Sequence, residues 1–279
     1  MTEPTLYPES GFLRLKIDLA YDGTNYSGWA KQPGRPTVQE SFETALSTIT
    51  QSKVETIVAG RTDAGVHATG QVVHVDLADT TNLEELAFKL NRMLDEDIRI
   101  NKVAIAPVAF HARFSALRRH YTYKIMDSNA AVPPLNRFDI APWYRTLDVE
   151  LLNAASALMI GEHDFAAYCK FREGSTTVRN LTRFDWSRND QGILIAQLSA
   201  DSFCYSMVRN LVGAAVCVAE GRFGTNWIQA TLSNKERISD SLVFAPRGLT
   251  LTQVDYPEDA GLLEWAKDSL ARLDTGDEN

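Results

Sequence analysis

Phe12 to Tyr21 alternates cleanly, with Leu13, Leu15, Ile17 and Leu19 facing one way and Arg14, Lys16 and Asp18 the other, which predicts a half-buried strand. Asp22-Gly23 then turns the chain, and Thr37 with Glu40 forms a capping box for a helix whose apolar side is Val38, Phe42, Leu46 and Ile49. Strand patterns follow at 54–59 and 71–77. Asn82, with Glu85 three residues on, opens a second helix carrying Leu86, Leu90, Met93 and Leu94, and a strand follows near 98–106. The order is β-α-β-β-α-β. It repeats as a strand at 118–126, a helix after Asp148, strands near 178–187 and 192–199, an apolar helix at Phe203–Ala219 and a last strand at 249–255, with a short extra helix near 226–233. The doubled pattern predicts an α/β protein of the α+β type, two ferredoxin-like subdomains sharing a largely antiparallel sheet. The expected boundaries are 12–112, 113–257 and an acidic tail at 258–279. Leu262, Leu263, Trp265, Leu270 and Leu273 predict a C-terminal amphipathic helix within that tail.

The chain of 279 residues is long enough to bury a substantial core, and its 44% hydrophobic and 23% charged content is that of a globular protein. Its longest apolar run is broken by Arg209 and Asn210, so no membrane span is expected, nor does Met1–Gly11 resemble a secretory signal. Cys169, Cys204 and Cys217 lack CxxC spacing and fit free thiols in a reducing cytoplasm better than a disulfide or a zinc framework. The net charge of −8 argues against a nucleic-acid partner until it is resolved along the chain. Seven acidic and two basic residues fall in 258–279, whereas Val108–Met126 carries Arg113, Arg118, Arg119 and Lys124 with His111 and His120 and no acid. A phosphate backbone responds to that local stripe rather than to the sum, although a basic strand can equally be a solvated face.

Two features carry chemistry. The pattern at Val54–Ala59 runs into Gly60-Arg61-Thr62-Asp63-Ala64-Gly65-Val66-His67, a glycine-flanked loop presenting a carboxylate at a strand end, where scaffolds commonly hold reactive groups, although an ordinary hairpin turn capped by Asp63 has the same composition. Far downstream, Arg209 sits within the apolar helix, and a buried arginine calls for an anion unless it lies at the helix end and reaches solvent. Asp63 is the candidate partner. Asp63 and His67, with His74 and Asp76, raise a competing expectation, metal ligands of a hydrolase, which a nearby Arg209 would oppose.

Gly60–His67 followed by Gly70-Gln71-Val72 resembles the signature of the tRNA pseudouridine synthase A family. Tyr21–Trp29, Thr37-Val38-Gln39, Phe110-His111-Ala112-Arg113-Phe114, Arg119–Tyr123, Gly161–Phe165 and Met207–Gly213 are similar to successive blocks of it, in order. The resemblance implies a cofactor-free isomerase that converts uridine to pseudouridine at positions 38, 39 and 40 of the tRNA anticodon stem-loop. It also implies a cytoplasmic homodimer, a pseudouridine synthase fold with a central cleft, and neither a metal nor a membrane partner. It makes Asp63 the catalytic carboxylate, with Arg209 holding it ionised, Tyr121 stacking on the uracil, Arg61 helping to extrude the base and Leu249 lining the pocket. Phe110, His111, Ala112, Arg113, Phe114 and Arg119 are the implied tRNA-binding residues. Ala30, where family members often have Gln, and the loop Cys169–Thr177 depart from the pattern. A binding module or RNA chaperone without catalysis is the other alternative, against which intact Asp63, Tyr121 and Arg209 argue.

Overall fold

Backbone hydrogen-bond partners explain where the expected elements form and where they stop. The computed structural model describes residues 11–258 apart from 80, 129, 171–175 and 235–241, so the helix expected around Leu262–Leu273 lies outside the described residues. The chain divides into two compact units, one reaching to Leu117 and resuming at Thr252, the other spanning Arg118–Leu251. The fold is mixed α/β with a mostly antiparallel sheet.

The first unit contains β1 (Phe12–Tyr21), α1 (Val38–Thr50), β2 (Ile57–Val58), β3 (His67–Ala78), α2 (Leu83–Met93) and β4 (Ile98–Ile105). Its strands are ordered β4-β1-β3, with β2 paired to β3, all antiparallel. Thr37 and Asn82 cap α1 and α2 as expected, each accepting from the N–H three residues on. The strand expected at 54–59 shrinks to two residues because α1 takes its donors. Val54 N–H goes to Ser47 Oγ at 3.0 Å and Thr56 N–H to Glu43 Oε1 at 2.7 Å. Arg14 also departs from the alternation. Assigned to the polar face, it is 2% exposed, because residues 108–110 cover that end of β1 and accept its hydrogen bonds. Asp76, opposite it on β3, closes a bidentate pair at 2.8 and 2.7 Å.

The second unit contains β5 (Arg118–Met126), β6 (Ala141–Pro142), α3 (Val149–Ala157), β7 (Gly161–Asp164), β8 (Val178–Arg188), β9 (Leu194–Ala200), α4 (Met207–Ala219) and α5 (Asn226–Ser233). The order β5-β9-β8-β7 is antiparallel, and β6 joins β5 in parallel. Asp148 caps α3 through two N–H groups. α4 is buried along nearly its whole length, and at Gly213 a Cβ would stand 1.7 Å from Leu242 O, so only glycine admits that backbone. β10 (Leu249–Asp255) begins in this unit and ends in the first.

Two expectations are corrected here. The apolar pattern from Phe203 does not become helix until Met207, because Ser206 takes a left-handed φ of 63° that α-helix cannot include. Cys169 and Cys204, expected as free thiols, are joined in a disulfide across 5.8 Å between Cα atoms, while Cys217 is a buried thiol. Their separation of 35 residues carries no local spacing signal.

Candidate active site

The loop at 59–66 joins β2 to β3 within the first unit and puts Asp63 at its turn, half-buried. It lies backbone-on-backbone against the segment after β1. Trp29 N–H donates to Thr62 O at 3.0 Å and Gly65 N–H to Tyr26 O at 3.2 Å, while Val66 N–H closes the turn on Asp63 O at 3.1 Å. Two glycines permit this approach. A Cβ on Gly23 would stand 2.0 Å from Val66 O, and one on Gly28, at φ +97°, 2.8 Å from Thr62 O. The far end of the loop is held by His67, whose Nδ1 accepts from Gly23 N–H at 3.1 Å and lies 3.0 Å from Asp22 Oδ1. Burial alone would raise the Asp22 carboxyl, but hydrogen bonds from Thr24 hold it below its ordinary value.

A buried polar cluster supports the loop from within. The Tyr21 hydroxyl lies 2.7 Å from Thr62 Oγ1 and accepts from Gln71 Nε2 at 3.1 Å, and the same amide donates to Gly60 O at 2.8 Å. Sequence reasoning quoted Tyr21 and Gln71 only as parts of motifs. The available signal was a polar Gln directly before the apolar Val72-Val73 pair of a strand, since a buried amide is retained only where partners await it.

Arg61 is exposed. Phe110, His111 and Ala112 are interior to the first unit, which confines their side chains to packing. His111 stacks on Phe114, and the exposed Arg113 guanidinium lies 5.2 Å over the Phe114 ring. The residues of the hydrolase alternative are committed elsewhere. Asp76 is paired with Arg14, and His74 Nδ1 accepts from Ala112 N–H at 3.0 Å. Among the described residues no three His, Cys, Asp or Glu side chains gather as metal ligands.

In the second unit Tyr121 lies on β5 opposite Leu198, buried, with its ring edge-to-face on Phe203 at 5.2 Å. Tyr123, two residues on, is fully buried and donates to Ala245 O at 2.6 Å. Arg209 stands in the first turn of α4, not mid-helix, and is half-buried; its Nε donates to Phe244 O at 2.6 Å. The burial that called for an anion is therefore only partial. Leu249 is buried at the start of β10.

The basic stripe separates by strand alternation. Arg119 turns inward and donates to Asp201 O at 2.6 Å, beside an Asp201 carboxyl that burial pushes up. Arg118 is exposed, His120 bonds Ser199 Oγ at 2.7 Å, and Lys124 is paired with Asp139 at 2.7 Å.

Comparison with known proteins decides what this loop belongs to. The tRNA pseudouridine synthase family matches residues 19–115 and 155–257. This chain belongs to that family. It is 50% identical over 253 residues to tRNA pseudouridine synthase A of Frankia casuarinae, covering 90% of this chain and 92% of that protein. It is also 50% identical over 258 residues to the Streptomyces griseus protein of the same name, covering 90% and 91%, and 42% identical over 281 residues to that of Mycobacterium leprae, covering 95% and 96%. The family match spans Arg61, Asp63, Arg209 and Leu249, whereas Arg119 and Tyr121 fall between its two stretches. Among the described residues no helix is long and apolar enough to cross a membrane.

Proposed function

We propose that this protein isomerises uridine to pseudouridine in tRNA, at positions 38, 39 and 40 of the anticodon stem-loop, with Asp63 as its catalytic carboxylate. The observation that carries the reading is the family match running through the Gly60–His67 loop, together with a backbone cradle that holds Asp63 at the turn of that loop. The reaction breaks the bond between N1 and C1′, turns the uracil, joins C5 to C1′, and moves a proton from C5 to N1. No atom is added and no electron is exchanged with a third party. A carboxylate has three routes into it: attack on C1′, attack on C6, or removal of a proton at C2′.

A paired target must first leave its stack, at a cost of a few kcal/mol. Arg61, exposed on the approach to Asp63, is the group we assign to occupying the vacated place. Tyr121 stacks on the uracil, Leu249 lines its pocket, and Arg209 orients Asp63. Of the segment 110–114, Arg113 and Phe114 are the residues exposed enough to meet tRNA, with Phe110–Ala112 supporting them from within. Arg118 presents charge from β5 and Arg119 acts through Asp201. We further assign the enzyme, on its tRNA substrate and not on its cysteines, to the cytoplasm, as a homodimer whose two subunits grip one tRNA. No metal or organic cofactor enters this scheme.

The test is incubation with unmodified tRNA transcripts in the presence of a chelator, followed by mapping of pseudouridine. New pseudouridine confined to 38–40 is expected. Modification elsewhere would overturn the positional reading, and tight binding without any product would favour the non-catalytic alternative.

A further inference from the structure

The buried amide of Gln71 sets a direction through the polar cluster that supports the loop. Gly60 O can only accept, so the nitrogen end of Gln71 must face it, and its second hydrogen goes to the Tyr21 hydroxyl. The Tyr21 oxygen therefore accepts from Gln71, and its own hydrogen is left for Thr62 Oγ1 at 2.7 Å. The hydrogen of Thr62 is then turned away from Tyr21. Tyr21, Thr62 and Gln71 are 4%, 7% and 0% exposed, so bulk water does not compete for these bonds. Burial pushes the Tyr21 hydroxyl up to about 12, which keeps its proton in place throughout the neutral range. The cluster joins the end of β1 and the body of β3 to Gly60 and Thr62, the residues on either side of Arg61, immediately before Asp63.

We propose that Tyr21 and Gln71 are positioning residues for the reaction: their directed relay through Thr62 fixes the loop peptide and sets the carboxylate of Asp63 at its productive place. The proposal rests on Asp63 being the catalytic carboxylate. A loop displaced by about 1 Å costs as much as 100-fold in rate without loss of binding, and that separation of effects distinguishes positioning from mere stability.

The experiment is single-turnover pseudouridine formation and tRNA binding by Tyr21→Phe, Thr62→Val, Thr62→Ser, the double variant Tyr21→Phe/Thr62→Val, and Asp63→Asn, with melting followed for each. Tyr21→Phe keeps the ring against Trp29 and removes only the relay. It should lower the rate by about 10–100-fold while tRNA affinity stays within a few-fold. Thr62→Val should match it, Thr62→Ser should restore most of the rate, and the double variant should lose no more than the worse single one. A folded Tyr21→Phe enzyme at the wild-type rate, or losses that multiply in the double variant, would overturn the relay. If Tyr21→Phe does not fold, the contrast between Thr62→Val and Thr62→Ser decides alone. An active Asp63→Asn enzyme would bring down the reading of the site and the relay with it, whereas an inactive Asp63→Asn beside a fully active Tyr21→Phe removes the relay only.

Discussion

His74 and His111 form a buried pair whose titration should dominate the acid sensitivity of the first unit. The rings lie 4.7 Å apart, at 3% and 2% exposure, and each Nδ1 accepts a backbone N–H, from Ala112 at 3.0 Å and from Phe114 at 3.1 Å. Each ring therefore carries its proton on Nε2 and has no lone pair left for a second one. Burial, then His111 and Arg14, bring His74 down to about 2; burial, then Arg14 and Arg113, bring His111 down to about 3. In the unfolded chain both titrate near 6.5. A neutral folded ring and a protonated unfolded one mean that stability is complete above that value and lost as pH falls toward the folded values. At pH 5.0 the loss is about 2 kcal/mol for each histidine, or about 4 kcal/mol for the pair. The assay is urea unfolding at pH 7.5 and 5.0 for the native protein, His74→Asn, His111→Asn and the double variant. The Asn Oδ1 falls near the Nδ1 position, so each backbone donor keeps an acceptor while the titration is removed. Acidic groups common to all four proteins cancel in the comparison. Between the two pH values the native midpoint should fall by roughly 1–2 M urea more than that of the double variant, and each single variant should show about half the difference. An equal fall in the native protein and the double variant would refute the assignment of neutral buried rings.

Three further outcomes are expected. Asp63→Asn should reduce pseudouridine formation by at least about 10²–10⁴-fold with tRNA affinity little changed, measured by tritium release from C5. Arg209→Met should cut the single-turnover rate severely and Arg209→Lys should restore little of it, because the ammonium lacks the planar fork, while loss of the Phe244 bond costs stability about 1 kcal/mol by melting. Replacing Arg113 and Arg118 with Gln should flatten the log–log salt dependence of tRNA binding by about 0.7–0.9 for each phosphate that is no longer neutralised, whereas Lys124→Gln should leave the slope unchanged because its ammonium already serves Asp139.

What the sequence disclosed, and what it withheld, follows the range of the interactions responsible. Helix caps at Thr37, Asn82 and Asp148 were legible because donor and acceptor lie two or three residues apart. Arg14 was misread because alternation describes one strand, while the groups that make its burial tolerable lie 62 to 96 residues away. The early start given to α4 has the same origin. Apolar periodicity continues through Phe203, and nothing in Ser206 as a residue type announces a left-handed backbone. The candidate site shows both cases. Asp63 stands out locally as a carboxylate between glycines at a strand end, but the same residues suit an ordinary hairpin turn, and the family signature is what separates the two. The support of the loop does not stand out, because backbone-to-backbone contacts have no side-chain signature. Only Gly23 and Gly28 betray them, and each becomes informative once Val66 O and Thr62 O are seen where a Cβ would stand. A loop held in this way tolerates little change in the residues that face it. The geometry of Asp63 should thus depend as much on Gly23, Gly28, Tyr21 and Gln71 as on the eight residues of its own loop.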